Sequence, residues 1–410
     1  MSHPATHPPQ NSPAPVPTVV PLTGRLTSLD AYRGFIMLYM ACHGFGLTRV
    51  VPASPDSFWP AITWWFEHAT WAGGSTWDLI QPAFMFMVGV AVPFSYAQRA
   101  AKGDSAGRQF SHALVRALVL ILISVFLASG SGAGRTTKWE FTNVLAQIGL
   151  GYPFLLLVLN RRITVQAAVT AGILIGYWAL FAAYPLPSPT NNYAALGVTP
   201  ADLTGGAVYP GFFGHWSKNT HIAAAFDVWF LNLFPRATPF TFNAGGYATL
   251  NFIPSLATMI LGLMCGELLR RPSTPQAKVK TLLIAALLLT TAGLLLGITI
   301  CPIIKRIWTP SWALCSGGLV IALLAAFYWL IDVRSHRQWS QFLVVVGMNS
   351  IAIYLMSQLL RPWMGDLLKT HLGPSLFTGP YGSIPRDCLT LLVFWLVCWG
   401  LHRRKIFLRI

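Results

Sequence analysis

The stretch "TLLIAALLLTTAGLLLGITI", residues 281–300, carries no charged side chain over twenty positions. A helix of about 20 apolar residues is long enough to cross the hydrocarbon core of a bilayer. Apolar runs of similar length recur along the 410 residues, which are 54% hydrophobic and only 10% charged. Soluble proteins carry about 25% charged residues. The sequence therefore predicts an all-α, polytopic membrane protein.

Apolar length and flanking charge predict about ten spans. They fall near 33–51, 79–97, 112–130, 143–159, 164–184, 247–269, 281–300, 311–331, 341–360 and 388–402. The Pro-rich residues 1–24 lack the apolar core of a signal peptide and predict a disordered cytoplasmic tail. Residues 25–410 then form a single transmembrane domain. Within it, residues 185–246 predict a long extracytoplasmic loop, and their aromatic content favours a folded cap.

The net charge of +16 comes from 28 Lys and Arg against 12 Asp and Glu. If the N-terminus is cytoplasmic, every loop on that side is basic, which indicates cytoplasmic N- and C-termini. The positive charge is not gathered on one soluble domain, so nucleic acid is not an expected partner. The six cysteines form neither a CxxC motif nor a Cys/His cluster. We therefore expect neither a disulfide framework nor a metal site.

Ionisable groups stand before the second predicted span, in "EHATWAGGSTWDLIQP", residues 67–82. An imidazole acts as a base or nucleophile near neutral pH, and a carboxylate beside it orients the ring. His68 and Asp78 are ten residues apart and do not share a helix face. A turn at Gly73-Gly74 would bring them together. The alternative is an interfacial aromatic belt with exposed polar residues between its tryptophans.

Polar residues in the first span and the long loop offer two further candidate sites. In "RLTSLDAYRGFIMLYMACHG", residues 25–44, Asp30 and Arg33 precede His43, which is either reactive or hydrogen-bonded between helices. In "GHWSKNTHIAAAFDVWF", residues 214–230, Asn219 and Asp227 alternate with tryptophans. That mixture suits a sugar ligand, although a helix lying on the membrane surface would show it too.

Two later passages add polar groups near or within predicted spans. Lys305 precedes Trp308 on the predicted outer side, and Asn349 and Ser350 lie in the ninth span. Polar residues inside a span also serve simply to bind helices together.

Taken together, these passages resemble the heparan-α-glucosaminide N-acetyltransferase family and its bacterial relatives. The similarity runs through "RLTSLDAYRG", "FEHATWAGGSTWDLIQPAFMFMVGVAVPFS", "VLAQIGLGY", "AAAFDVWFLNLFP", "GGYATLNFIPSLATMILGLMCGELL", "KRIWTPSW" and "GMNSIAIY". It covers nearly everything from Arg25 to the ninth span. The His-Ala-Thr-Trp run followed by Asp-Leu and Pro-x-Phe is the most specific part.

The resemblance implies a multi-span transferase in the bacterial cytoplasmic (inner) membrane. Such an enzyme takes acetyl from cytosolic acetyl-CoA and delivers it to an amino sugar across the membrane. The active-site histidine of the family falls on His68 and its aspartate on Asp78. The implied partners are a small-molecule acyl donor, a glycan acceptor and the bilayer, and a homodimer is compatible with the pattern.

Ligand contacts follow as expectations from the same resemblance and from charge. The expected contacts with acetyl-CoA are Arg33, Arg116, Arg161, Lys305, Asn349 and Ser350, and those with the acceptor are Trp71, Asn219 and Asp227. The chain departs from the family at Ala146-Gln147, where Gln-Arg is frequent, and at Asp227-Val228, where Asp-Arg is common.

Three other interpretations stay open at this stage. Asp30, Arg33 and His43 echo integral-membrane O-acyltransferases, in which His43 would be the catalytic base. The same polar groups would also suit a transporter or flippase. A protein that binds CoA or a glycan without turnover is the third.

Overall fold

The computed structural model describes residues 26–50, 58–130, 136–188 and 190–408, and within these ranges it contains helices and no β-strand. The predicted tail, residues 1–24, lies outside the described residues. In chain order the α-helices are α1 (Thr27–Ala41), α2 (Trp59–Thr63), α3 (Ile80–Ala101), α4 (Ala106–Ser129), α5 (Val144–Leu157), α6 (Ile163–Ala182), α7 (Pro200–Thr204), α8 (Ile222–Leu231), α9 (Phe252–Arg270), α10 (Pro275–Thr299), α11 (Pro310–Phe327), α12 (Gln341–Gly347), α13 (Ser350–Leu359), α14 (Arg361–Leu372) and α15 (Ser383–Arg403).

Seven helices in the described ranges are long and apolar enough to cross a membrane, namely those built on α3, α4, α6, α9, α10, α11 and α15. The pair α12–α13 adds an eighth crossing if its two parts, bent by 75°, count as one span. The two remaining predicted spans correspond to the shorter helices α1, of 15 residues, and α5, of 14. The prediction of an all-α membrane bundle is confirmed.

The first predicted span, 33–51, differs from the helix that forms. Helix α1 begins at Thr27 and ends at Ala41, and a short 3₁₀ helix, His43–Arg49, follows it. Gly44 and Gly46 turn the chain with φ of +64° and +74°, values that glycine adopts without strain. A Cβ on Gly46 would lie 2.4 Å from the carbonyl oxygen of Ser383, so α15 also requires glycine there.

Helices α3 and α9 cross closely because glycines line their contact. The sequence Gly262-Leu-Met-Cys-Gly266 on α9 is a GxxxG motif, which lets two membrane helices approach backbone to backbone. A Cβ on Gly262 would lie 2.1 Å from the carbonyl oxygen of Phe86, and one on Gly89 would lie 1.9 Å from that of Met259. This crossing fixes α3, whose first residue follows the candidate site directly.

A second, smaller hydrophobic core combines Trp216 of the long segment between α6 and α9 with residues from other parts of the chain. That core includes Trp71, Tyr177, Phe181, Trp216 and Ile304. Its members come from the loop before α3, from α6, from the long segment and from the loop before α11. The aromatic cluster therefore joins four parts of the chain at one end of the bundle.

The α3–α9 crossing gives a stability prediction. We expect Gly262→Ala to lower the thermal midpoint of the detergent-solubilised protein, because the added methyl group meets the α3 backbone and overpacking of this kind costs about 1–3 kcal/mol. Gly176→Ala on α6 is the matched control, since its Cβ would have nothing within 4 Å. Equal midpoints for the two variants would show that the close crossing contributes no stability.

Candidate active site

The loop before α3 folds back on itself and presents His68 beside Asp78. Gly73 adopts φ of +85° and donates its N–H to the carbonyl oxygen of Ile303 at 2.8 Å. The Ser75 hydroxyl donates to the carbonyl oxygen of Glu67 at 2.5 Å and closes the loop. His68 Nδ1 then lies 2.7 Å from Asp78 Oδ1. The expected turn does bring the two side chains together.

Asp78 is almost completely buried, and both of its carboxylate oxygens accept hydrogen bonds. Oδ2 accepts from the backbone N–H of Ala69 at 2.9 Å and from that of Ser75 at 3.1 Å. Oδ1 faces His68 Nδ1 and also lies 3.2 Å from Lys305 Nζ. A buried carboxylate is stable only when it is paired and hydrogen-bonded in this way. Asp78 therefore acts as a fixed anchor for the groups around it.

Lys305 reaches the site from the loop between α10 and α11. Its side chain is 7% exposed, and Nζ lies 3.2 Å from Asp78 Oδ1 and 3.1 Å from His68 Nδ1. Thr309, the N-cap of α11, accepts from the backbone N–H of Ile304 at 3.0 Å and so holds this loop. The sequence suggested Lys305 as a CoA contact. In the structure its nearest charged partner is Asp78.

The arrangement assigns the hydrogen on the imidazole ring. The ionised Asp78 Oδ1 only accepts hydrogen bonds and lies 2.7 Å from His68 Nδ1, so the ring hydrogen lies on Nδ1 and Oδ1 is the acceptor that His68 and Lys305 share. A hydrogen on Nδ1 leaves the lone pair on Nε2, and the side chain of His68 is 43% exposed. An anchored imidazole with an accessible Nε2 is equipped to take a proton or to attack a carbonyl carbon.

Two neighbouring side chains complete the site, and the sequence did not single them out for it. Arg306 donates to the carbonyl oxygens of Gly245 at 2.7 Å and Ala69 at 3.3 Å, which ties the two loops together. Tyr247 lies against both basic residues, with its hydroxyl 3.5 Å from Lys305 Nζ and its ring 5.6 Å from the Arg306 guanidinium. Their only signal was their position in the quoted motifs "KRIWTPSW" and "GGYATLNF".

The three residues expected to contact the acceptor are used inside the protein. Trp71 is 1% exposed and donates its indole N–H to the carbonyl oxygen of Trp216 at 3.0 Å. Asn219 donates to the carbonyl oxygens of Leu196 and Asn243. Asp227 is 2% exposed. Their direct contact with an acceptor stays a prediction, and their visible contacts are structural.

Of these three residues, Asp227 is the one whose carboxyl pKa is shifted by its surroundings. It lies on α8, outside the seven candidate spans, and accepts the backbone N–H of Thr249 at 2.9 Å. Burial raises the pKa of its carboxyl to about 6, and the nearby Glu140 adds to the rise. Arg236 acts in the opposite direction. Asp227 therefore binds a proton more readily than an ordinary aspartate.

Three basic residues expected to meet CoA lie towards the other end of the bundle. Arg33 lies 3.9 Å from Asp30 in α1. The start of α1 contacts the π-helical turn Tyr328–Val333 after α11, where Asp332 accepts the backbone N–H of Ser28. Arg161 is exposed after α5. In α4, the Arg116 guanidinium donates to the Tyr152 hydroxyl at 3.1 Å. The structure thus separates these cations from His68.

Asn349 and Ser350 mark the break between α12 and α13. Asn349 is fully buried, and its side-chain oxygen accepts the backbone N–H of Leu408 at 3.1 Å. Ser350 begins α13. Both residues therefore lie where a span bends, and Asn349 fastens the chain after α15 to that bend.

His43 belongs to a different constellation from His68. It is exposed, has φ of +49°, and begins the 3₁₀ helix that packs on α15. Two residues before His43, the carbonyl oxygen of Ala41 accepts a hydrogen bond from Arg361, and Arg361 forms an ion pair with Asp387 at 3.2 Å. Asp30 and Arg33 lie about three to four helical turns before His43 in the chain. The structure does not gather Asp30, Arg33 and His43 into one site.

The comparisons with known proteins fit the resemblance found in the sequence. No family model matches the chain. The chain is 23% identical to human heparan-α-glucosaminide N-acetyltransferase over an alignment that covers 95% of the chain and 60% of the human protein. It is 22% identical to the mouse protein of the same name, over 82% of the chain and 54% of the mouse protein. The chain thus spans little more than half the length of these relatives.

The shared carboxylate predicts a specific pattern of stability. Asp78→Asn leaves the buried Lys305 unpaired, and Lys305→Met leaves the buried Asp78 unpaired, so each single variant should lose about 3–5 kcal/mol. The double variant Asp78→Asn/Lys305→Met removes both charges and should have a higher thermal midpoint than either single variant. A double variant whose loss equals the sum of the single losses would contradict this pairing.

The raised pKa of Asp227 predicts a pH dependence. Because the folded carboxyl keeps its proton up to about pH 6 and the unfolded one loses it near pH 4, the folded state should lose stability as pH rises between these values. Asp227→Asn should flatten that slope in thermal midpoints measured from about pH 4 to pH 8. The exposed Asp366→Asn is the control and should leave the slope unchanged.

Proposed function

We propose that this protein is a membrane acetyltransferase that moves acetyl from cytosolic acetyl-CoA to a sugar, in the first place an amino sugar, on the extracytoplasmic side. The observation that carries the proposal is His68, whose Nδ1 is fixed by the buried Asp78 while its side chain stays 43% exposed. The similarity to the two acetyltransferases supports the reaction class. The basic loops at the other end support cytoplasmic termini. The resemblance to bacterial relatives of the family supports a location in the inner membrane.

The chemistry requires one group that handles a proton at the reacting carbon. In direct transfer, Nε2 of His68 takes the proton that the acceptor loses as its nitrogen or oxygen bonds to the acetyl carbon. CoA then leaves as a thiolate and is protonated. In stepwise transfer, Nε2 itself bonds to the acetyl carbon before the acceptor does. Both routes need the reacting atoms about 3–3.5 Å apart.

Each group at the site has a defined task in this proposal. Asp78 orients the ring and keeps the hydrogen on Nδ1, and Lys305 balances the carboxylate charge. Arg33, Arg116 and Arg161 are available for the phosphates of CoA, since guanidinium groups bind phosphate in a bidentate manner. That assignment rests on charge and on their position towards the proposed cytoplasmic end.

A transporter or flippase is the second candidate, and one observation favours it. Helices α12 and α13 form a pair bent by 75° with Asn349 at the break. Transporters use such interrupted spans to bind substrates and ions near the middle of the membrane. In that case the polar groups would line a path and would not move acetyl.

Mutation of the two histidines distinguishes these functions. We expect purified wild-type protein to transfer labelled acetyl from acetyl-CoA to glucosamine, and His68→Ala to reduce the rate by at least about 100-fold, because a positioned acid–base group contributes about that much. His43→Ala, at an exposed position in the 3₁₀ helix that packs on α15, should keep most of the activity. Acid quenching followed by peptide mass spectrometry shows whether acetyl resides on His68 between the two steps.

The controls make the outcome specific. The wild type, His68→Ala and His43→Ala should insert to the same extent into the reconstituted membrane, and all three should stay folded at the assay temperature in a thermal unfolding scan. If His43→Ala loses activity and His68→Ala keeps it, His43 is the catalytic base, as in the O-acyltransferases, and His68 is not. Purified protein that binds no acetyl-CoA and transfers no acetyl, while carrying a sugar across a liposome membrane, would establish the transporter.

A further inference from the structure

A long apolar groove lies between α6 and α10, and neither the acetyl chemistry nor the cap explains it. Its floor is formed by α9 and α11, on which α6 and α10 pack. The cavity measures about 950 Å³, and its lining is almost wholly apolar, including Ala171, Leu174, Leu261, Leu282, Leu288 and Leu314. We call it the α6–α10 groove. Its volume and lining suit a hydrocarbon chain.

The groove opens sideways to the bilayer and runs along most of its thickness. Ile175 and Leu288, on its two walls, are 65% and 63% exposed, and both helices are candidate membrane spans. Thr281 and Thr299 both line it, and they are about 27 Å apart along α10 at 1.5 Å per residue. The hydrocarbon core of a bilayer is about 30 Å thick. An occupant must therefore enter from the membrane and be elongated.

The two ends of the groove differ in charge and in their neighbours. Arg271 lies at one end, and Cys301 at the other. Cys301 begins the loop that carries Lys305 four residues later, so the two α-carbons are at most about 14 Å apart. In the same loop, Ile303 accepts the backbone N–H of Gly73 beside the His68 loop. A chain whose headgroup lies at the Cys301 end of the groove would place that headgroup beside the loop that carries Lys305.

We propose that the α6–α10 groove holds the hydrocarbon chain of a membrane-anchored acceptor, so that the acetyl group passes to a lipid-linked sugar. The inference rests on the proposed acetyltransferase function and names the class of its acceptor. The groove supplies the apolar contact, the Lys305 loop connects it to the reaction site, and a tethered headgroup meets His68 at a raised local concentration. Bulk lipid would fill the groove without any effect on acceptor preference.

The test compares two acceptors that share a headgroup and differ only in the chain. Dodecyl β-D-glucosaminide and methyl β-D-glucosaminide are offered in trace amounts to the full-length protein in lipid nanodiscs with acetyl-CoA. The wild type should show a kcat/KM at least about tenfold higher for the dodecyl compound. Ala171→Trp, which fills the groove, should abolish that preference and leave methyl glucosaminide turnover unchanged.

Matched variants keep the result interpretable. Ala168→Trp lies on the same helix, is exposed and does not line the groove, so it should keep the preference. Leu288→Trp on the opposite wall should repeat the effect of Ala171→Trp, and its neighbour Leu287→Trp, outside the groove, should not. Variants are compared only where the thermal midpoint matches that of the wild type.

The other outcomes overturn the inference in distinguishable ways. Two results would contradict a lipid-linked acceptor without contradicting the acetyltransferase function. One is an equal kcat/KM for the two compounds in the wild type, and the other is a preference that persists in both Ala171→Trp and Leu288→Trp. Acetylation of neither compound removes the proposed function itself. A third outcome is that the wild type is a dimer and Ala171→Trp is a monomer that loses activity equally on both acceptors. That result would show that a second copy of the chain occupies the groove.

Discussion

The carboxylate of Asp78, just before α3, is buried, and the arrangement of this end of the bundle depends on that burial. A buried carboxylate costs several kcal/mol unless charge and hydrogen bonds compensate for it. The compensation comes from two backbone N–H groups of its own loop, from His68 and from Lys305, which is more than 200 residues away in sequence. The loop before α3 and the loop before α11 must therefore fold against each other, and His68 is oriented as a result.

Rigid surroundings keep these loops in place. The glycine-lined crossing of α3 with α9 fixes the helix that starts at the site, and the Thr309 cap fixes the loop that carries Lys305. The aromatic cluster around Trp71 and Trp216 fills the space between the His68 loop and the long segment before α9. Positioned groups of a reactive site need such support, because small displacements weaken their hydrogen bonds.

Periodicity and charge predict the helices of this protein well because a bilayer imposes their length and apolarity. They leave the pairing of His68 with Asp78 open, because the Gly73-Gly74 turn only makes it possible and the family resemblance is what singles out both residues. They do not place Lys305, because its contact with Asp78 arises from packing between remote loops. They misplace His43, because the apolar run continues past Ala41 while Gly44 and Gly46 end the helix. A local sequence pattern predicts neither a contact between remote residues nor a backbone turn inside an apolar run.

The charge balance at the site constrains what His68 can do. Asp78 carries one negative charge, and the Lys305 ammonium, 3.1 Å from Nδ1, already balances it. With Nδ1 facing Asp78, Nε2 is the ring atom that would take the proton of the acceptor. A reaction that suits this site must return the proton within the same turnover. In the proposed acetyl transfer the departing CoA thiolate provides that step, because it needs the proton that the acceptor has given up.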